Sequence, residues 1–119
     1  MTLPNISATS IYNLTEMTFI GGTYLEFDYS VFDETNSPVD ITTGTITWNL
    51  SLYGQPNFVQ LTKSGTITGT NTFKVMLTAS DTVNLSGKYV QQPVLQDFKG
   101  NIFVPAQGII NFLPKIQGS

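Results

Sequence analysis

Glu26 and Asp28 lie two positions apart, so on an extended strand their carboxylates share one face. A glycoside hydrolase uses such a pair when a third group and a sugar-shaped cleft stand nearby. Two carboxylates about 7 Å apart on a solvated strand face also tolerate each other in water, and that plainer reading carries more weight. Asp33, Glu34, Asn36 and Asp40 bracket a turn. Flexible oxygen donors of this kind suit calcium, but the spacing fits no calcium loop and an Asx-rich hairpin accounts for it, so no metal ligand is assigned. Tyr24, Tyr53 and Phe98 fall near expected strand ends, where flat rings can stack on sugars; packing at an edge or in the core is the commoner use of such rings. Asn-x-Ser/Thr triplets begin at Asn5, Asn13, Asn49 and Asn84. A chain this rich in Ser and Thr yields about two by chance, so they carry little weight.

What is missing narrows the chemistry further. The 119 residues include no His, no Cys and no Arg. Triads built on His or Cys are therefore excluded, as are the usual zinc, haem and iron-sulfur sites, and no disulfide can brace the fold. No catalytic residue and no cofactor are expected. Five Lys are scattered singly against eight Asp and Glu, a net charge of −3, which argues against gripping a phosphate backbone. No apolar run approaches a membrane span, and no basic segment followed by an apolar stretch opens the chain, so neither a membrane nor a secretory route is expected. Only 11% of residues are charged while 40% are hydrophobic. Seventeen Thr, nine Ser, nine Asn and seven Gln fill the gap, so the surface must be built from neutral hydrogen-bonding groups.

The elements that hold these residues read as strands. Leu25, Phe27, Tyr29 and Val31 alternate with polar residues, and so do Ile46, Trp48, Leu50 and Leu52 over Thr45 to Leu52. Phe73, Val75 and Leu77 repeat the pattern; Phe58 to Thr62 and a short Thr66 to Thr68 add two more strands. Lys88 to Gln96 and Ile102 to Leu113 form the last pair, joined by a hairpin around Phe98-Lys99-Gly100. Pro93 and Pro105 each lack a ladder donor and belong at edges or bulges, and Gly108 marks a bulge or a crowded crossing. No helix of useful length is expected. Turn signals recur at the spacing of a sandwich or barrel, and Trp48 is expected at the centre of its core.

Residues 1–15 show no alternation. Leu3, Ile6, Ile11, Tyr12 and Leu14 are isolated apolar side chains in a polar stretch, read as an N-terminal arm that packs on its own domain or on a neighbour. Residues 16–114 form the sandwich and 115–119 a C-terminal tail. Asp81-Thr82, followed by Leu85, Gly87 and Tyr89, resembles the corner before strand F of immunoglobulin-like domains, where a Tyr hydroxyl bonds back to the upstream backbone. The expected fold is thus all-β: an immunoglobulin-like β-sandwich of about seven to eight antiparallel strands.

Over residues 16–114 the order of features resembles the small immunoglobulin-like domains of bacteriophage virion proteins, in particular the N-terminal domain of upper baseplate proteins and related tail and head accessory proteins. The likeness rests on Gly22-Thr23-Tyr24-Leu25-Glu26-Phe27, on Ser37-Pro38-Val39-Asp40-Ile41-Thr42 before the tryptophan strand, on Asp81-Thr82 with Gly87-Lys88-Tyr89, and on Asp97-Phe98-Lys99-Gly100-Asn101. Baseplate proteins of that kind continue into a coiled coil and a host-facing region, whereas this sequence stops at Ser119. The resemblance implies a non-enzymatic assembly module of a virion, made in the bacterial host cytoplasm, whose partners are capsid, tail or baseplate proteins and copies of itself. A carbohydrate-binding or adhesin domain using an aromatic loop end is the alternative. A neutral polar skin suits assembly, because Thr, Asn and Gln exchange water for partner hydrogen bonds without leaving an unpaired charge.

Overall fold

A period of two in the apolar residues dictates strands, and strands are what form. The structure is a computed structural model describing residues 6–7, 12–33 and 35–115. Its elements run β1 (Ile6–Ser7), β2 (Tyr12–Ile20), β3 (Leu25–Phe32), β4 (Thr45–Leu52), β5 (Val59–Ser64), β6 (Thr66–Ile67), β7 (Thr72–Leu77), α1 (Ala79–Thr82), β8 (Gly87–Gln96), β9 (Ile102–Phe103) and β10 (Ala106–Leu113). One sheet has the order β1-β3-β7-β6. The other has the order β2-β10-β8-β4-β5, with β9 also pairing to β8. If β1 and β2 are taken as two halves of strand A, the first sheet reads A-B-E-D and the second adds C′ to G-F-C, the immunoglobulin arrangement. The fold is an all-β sandwich of that topology.

Alternation fills the space between the sheets. Phe27, Tyr29 and Val31 from β3 and Phe73, Val75 and Leu77 from β7 meet Ile46, Trp48 and Leu50 from β4, with Tyr89, Leu95, Ile110 and Phe112 from β8 and β10. Tyr29 stacks on Phe73 at 4.6 Å between ring centroids, and Phe27 on Trp48 at 5.9 Å. Such offset aromatic pairs add to the free energy of burying the rings. The chain changes sheets between β5 and β6 at Gly65. A Cβ there would lie 2.6 Å from the Ile46 Cγ2, so only glycine lets the crossing lie this close to the core.

In four places besides Pro93 the structure departs from the sequence expectations or adds to them. First, residues 12–15 belong to a nine-residue strand, β2, and Leu14 is buried in the sandwich's own core. The arm therefore does not extend to residue 15. The backbones of Ile6 and Tyr12 lie in β1 and β2, while Leu3 and Ile11 fall outside the described residues, as does the tail beyond Lys115. Second, pairing is not wholly antiparallel: β1 runs parallel to β3, and β2 parallel to β10. Third, a one-turn helix, α1, follows β7, closed by a capping box between Thr78 and Asp81. Fourth, the last strand is split into β9 and β10 at Val104-Pro105.

That split explains the prolines. Pro93 lies in β8, a strand with neighbours on both sides, rather than at an edge. On the β9/β10 side the ladder runs up to Gln91 opposite Gly108 and resumes at Leu95 opposite Phe103. Pro93 sits in the gap, where a missing N–H leaves no ladder bond unmade.

Candidate functional site

Glu26, of the carboxylate pair, is engaged within its own sheet. The Glu26 carboxylate accepts a hydrogen bond from the Tyr24 hydroxyl at 2.8 Å and pairs with the Lys74 ammonium at 3.1 Å across β3 and β7. The Tyr24 hydroxyl, then Lys74, hold its pKa below the ordinary carboxylate range. A general acid on a glycoside needs the opposite shift, so Glu26 is not set up as one. Asp33 and Asp40 of the turn are likewise spent locally, and Glu34 lies outside the described residues. Asp33 Oδ1 accepts from the Thr35 N–H, the Thr35 hydroxyl and the Ser37 N–H. Asp40 Oδ1 accepts from the Thr42 N–H and hydroxyl. These are Asx turns, and among the described residues no cluster of three metal-ligating side chains forms.

The corner residues have structural duties. Asp81 Oδ2 accepts from the Thr78 N–H at 2.8 Å and lies 3.0 Å from the Lys63 ammonium. Thr82, fully buried, accepts at its hydroxyl from Gly22 N–H (2.9 Å) and Thr23 N–H (3.2 Å) and donates to the Thr23 carbonyl (3.0 Å). One side chain from α1 thus fixes the turn between β2 and β3, a role its sequence context does not disclose. The Tyr89 hydroxyl accepts from the Ser86 N–H, three residues upstream, at 3.3 Å.

At the centre, the Trp48 indole N–H lies 3.1 Å from both the Tyr29 hydroxyl and Gln91 Oε1, and Tyr29 donates to the same Gln91 oxygen. Burial pushes the Tyr29 hydroxyl well above its ordinary range, so it remains a donor. Gln91 is the residue that alternation alone does not foretell, a fully buried amide at an inward position of β8.

Of the aromatic candidates, Tyr24 is bonded to Glu26, and Tyr53 and Phe98 do not share a platform. Tyr53 follows the end of β4 that pairs with Tyr89, whereas Phe98 follows Gln96, which pairs with Thr45 at the other end of the same strand. Tyr53 and Phe98 are 54% and 73% exposed, but at opposite ends of the sandwich.

Around Phe98 the structure assembles a cleft of about 350 Å³. Val39 and Ile41, from the turn before β4, face Leu95, Phe98 and Phe103 of the β8–β9 hairpin, and Asp40 and Asp97 complete its wall. Asp97 is held by the N–H groups of Lys99 (2.9 Å) and Asn101 (2.8 Å), which close the hairpin and present Phe98 and Ile102 to solvent. Phe98 stands out in the sequence but its partners do not; Val39 and Ile41, apolar residues inside a polar turn, are the signal that marks them.

No protein-family model matches this chain, and no curated protein matches it. Among solved structures it is similar to the endo-fucoidan hydrolase MfFcnA4 from glycoside hydrolase family 107, at 20% identity and a TM-score of 0.49. The superposition covers 89% of this chain and 13% of that one. A likeness of that size bears on no activity.

Proposed function

We propose that this chain is a non-enzymatic structural protein of a bacteriophage virion, a head decoration or a tail or baseplate accessory, that acts by docking onto other virion proteins. The order of motifs along residues 16–114 supports the virion reading, and one structural observation supports docking: the apolar cleft end. Phe98 and Ile102 stand 73% and 66% exposed on a hairpin beside a cleft whose wall is mostly apolar. Exposed apolar surface of this kind marks interaction sites, and covering it contributes roughly 25 cal/mol per Å².

The test is mass spectrometry of purified phage particles from an infection in which the gene is expressed. The chain is expected among the virion proteins, and its absence overturns the proposal. In particles assembled with a Phe98→Ser/Ile102→Ser variant, occupancy is expected to fall by roughly tenfold or more. Unchanged occupancy would move the docking surface elsewhere on the sandwich.

A further inference from the structure

Charge is distributed unevenly over the two sheets. The outer face of the β1-β3-β7-β6 sheet carries Glu26, Asp28 and Lys74. Asp33, Asp40, Asp97 and Lys99 lie in the turns at the cleft end. The outer face of the other sheet is different. Its outward positions on β4, β5 and β10 carry no charged side chain, and β8 contributes only Lys88, at a corner. Lys88 pairs there with Glu16 at 3.6 Å. The rest is valine, isoleucine, leucine and neutral polar groups. Two adjoining depressions of about 340 and 230 Å³ indent this face and share Val90 and Gln107.

We propose that this face pairs two copies of the chain, sheet against sheet. Each copy has a net charge of −3, so two copies approach with least repulsion on the face whose one carboxylate among the described residues, Glu16, is paired with Lys88. A foreign partner chosen by charge would find nothing to read here. Asn49, Gln92, Gln107 and Asn111 each carry donors and acceptors together, so a two-fold pairing sets amides against amides and the surface complements itself. A surface of one charge sign cannot do so. Five strands about 4.8 Å apart and about seven residues long span roughly 550 Å² on each copy, about 1,100 Å² for the pair, at the lower limit for a specific interface. The dimer is therefore weak and reversible. This surface meets the cleft only at Thr45 and Gln96, and the inference stands or falls independently of the virion reading.

Sedimentation equilibrium of the whole chain, from roughly 10 µM to 1 mM, tests it. The expected result is a monomer–dimer equilibrium that added salt barely weakens, since Glu16 and Lys88, the charges at this face among the described residues, are paired within each copy. Gln92→Glu puts like charges on both sides of the interface and is expected to weaken dimerisation at least tenfold. Thr66→Glu adds the same charge to the opposite sheet, beside Lys74, and is expected to leave dimerisation unchanged. Trp48 fluorescence verifies that both variants fold. A monomer throughout the range, association that grows beyond a dimer, strong weakening by salt, or equal weakening by the two variants would each overturn the proposal.

Discussion

A Cβ placed on Gly108 would lie 2.7 Å from the Cβ of Leu14 on the neighbouring parallel strand. The two strands approach this closely because Gly108 offers no side chain at an inward position of β10. Gly108→Ala is expected to cost about 1–3 kcal/mol as the strands are forced apart. Leu14→Ala keeps its Cβ and should not relieve that cost. Leu14→Gly should, so a double-mutant cycle by urea denaturation is expected to show coupling for the glycine pair only. Additive losses in both cycles would refute the contact.

The same contact shows why part of the fold was hidden in the sequence. Gly108 pairs with Leu14 and Ile110 with Met17, so two residues of β2 oppose the single Ile109. This bulge spaces the inward residues Leu14, Met17 and Phe19 by three and then two, which destroys the alternation that made β3, β4 and β7 legible. The segment therefore reads as an arm although it is a strand. The cleft was hidden for another reason: Val39 and Phe103 are brought together by pairing between β4, β8 and β9, and no local pattern encodes that register. Trp48 was legible because its strand keeps a clean period of two.

The Thr82 hydroxyl satisfies two backbone donors of the β2–β3 turn from a fully buried position. Thr82→Val keeps the shape but strands both N–H groups, at an expected cost of about 1–3 kcal/mol. Thr82→Ser retains the oxygen and should lose less. Urea denaturation of the three proteins checks the order, and a Val variant as stable as the Ser variant would remove the hydroxyl from the account.

In the core, Gln91 Nε2 has no hydrogen-bond partner among the described residues, whereas Gln91 Oε1 is bonded to both Tyr29 and Trp48. Gln91→Met removes the orphaned amide together with the shared acceptor, and Trp48 keeps the Tyr29 hydroxyl. Its stability is expected to stay within about 1 kcal/mol of the parent. Adding Tyr29→Phe strands the indole N–H in the core and should cost about 1–3 kcal/mol more. Trp48 is the sole tryptophan, so its fluorescence follows both unfolding and the loss of the bond. A double variant as stable as Gln91→Met would show that the indole N–H does not depend on this network.

Acid should destabilise the protein through carboxylates held below their ordinary range. For Asp81 the cause is first the Thr78 N–H and then Lys63. For Asp33 and Asp40 it is first the hydroxyls of Thr35 and Thr42. A group whose folded pKa is depressed contributes stability above its unfolded value, about 4, and that stability is lost as pH falls through the folded value. With no histidine, no side chain has an ordinary pKa between about 5 and 8, so the urea midpoint is expected to be flat there and to fall below about pH 4. Asp81→Asn should start from a lower plateau and fall less steeply. Lys63→Met removes the ion pair but leaves the Thr78 bond, and so should keep most of the parent's acid slope. Identical slopes for the parent and Asp81→Asn would mean that the α1 cap plays no part in acid unfolding.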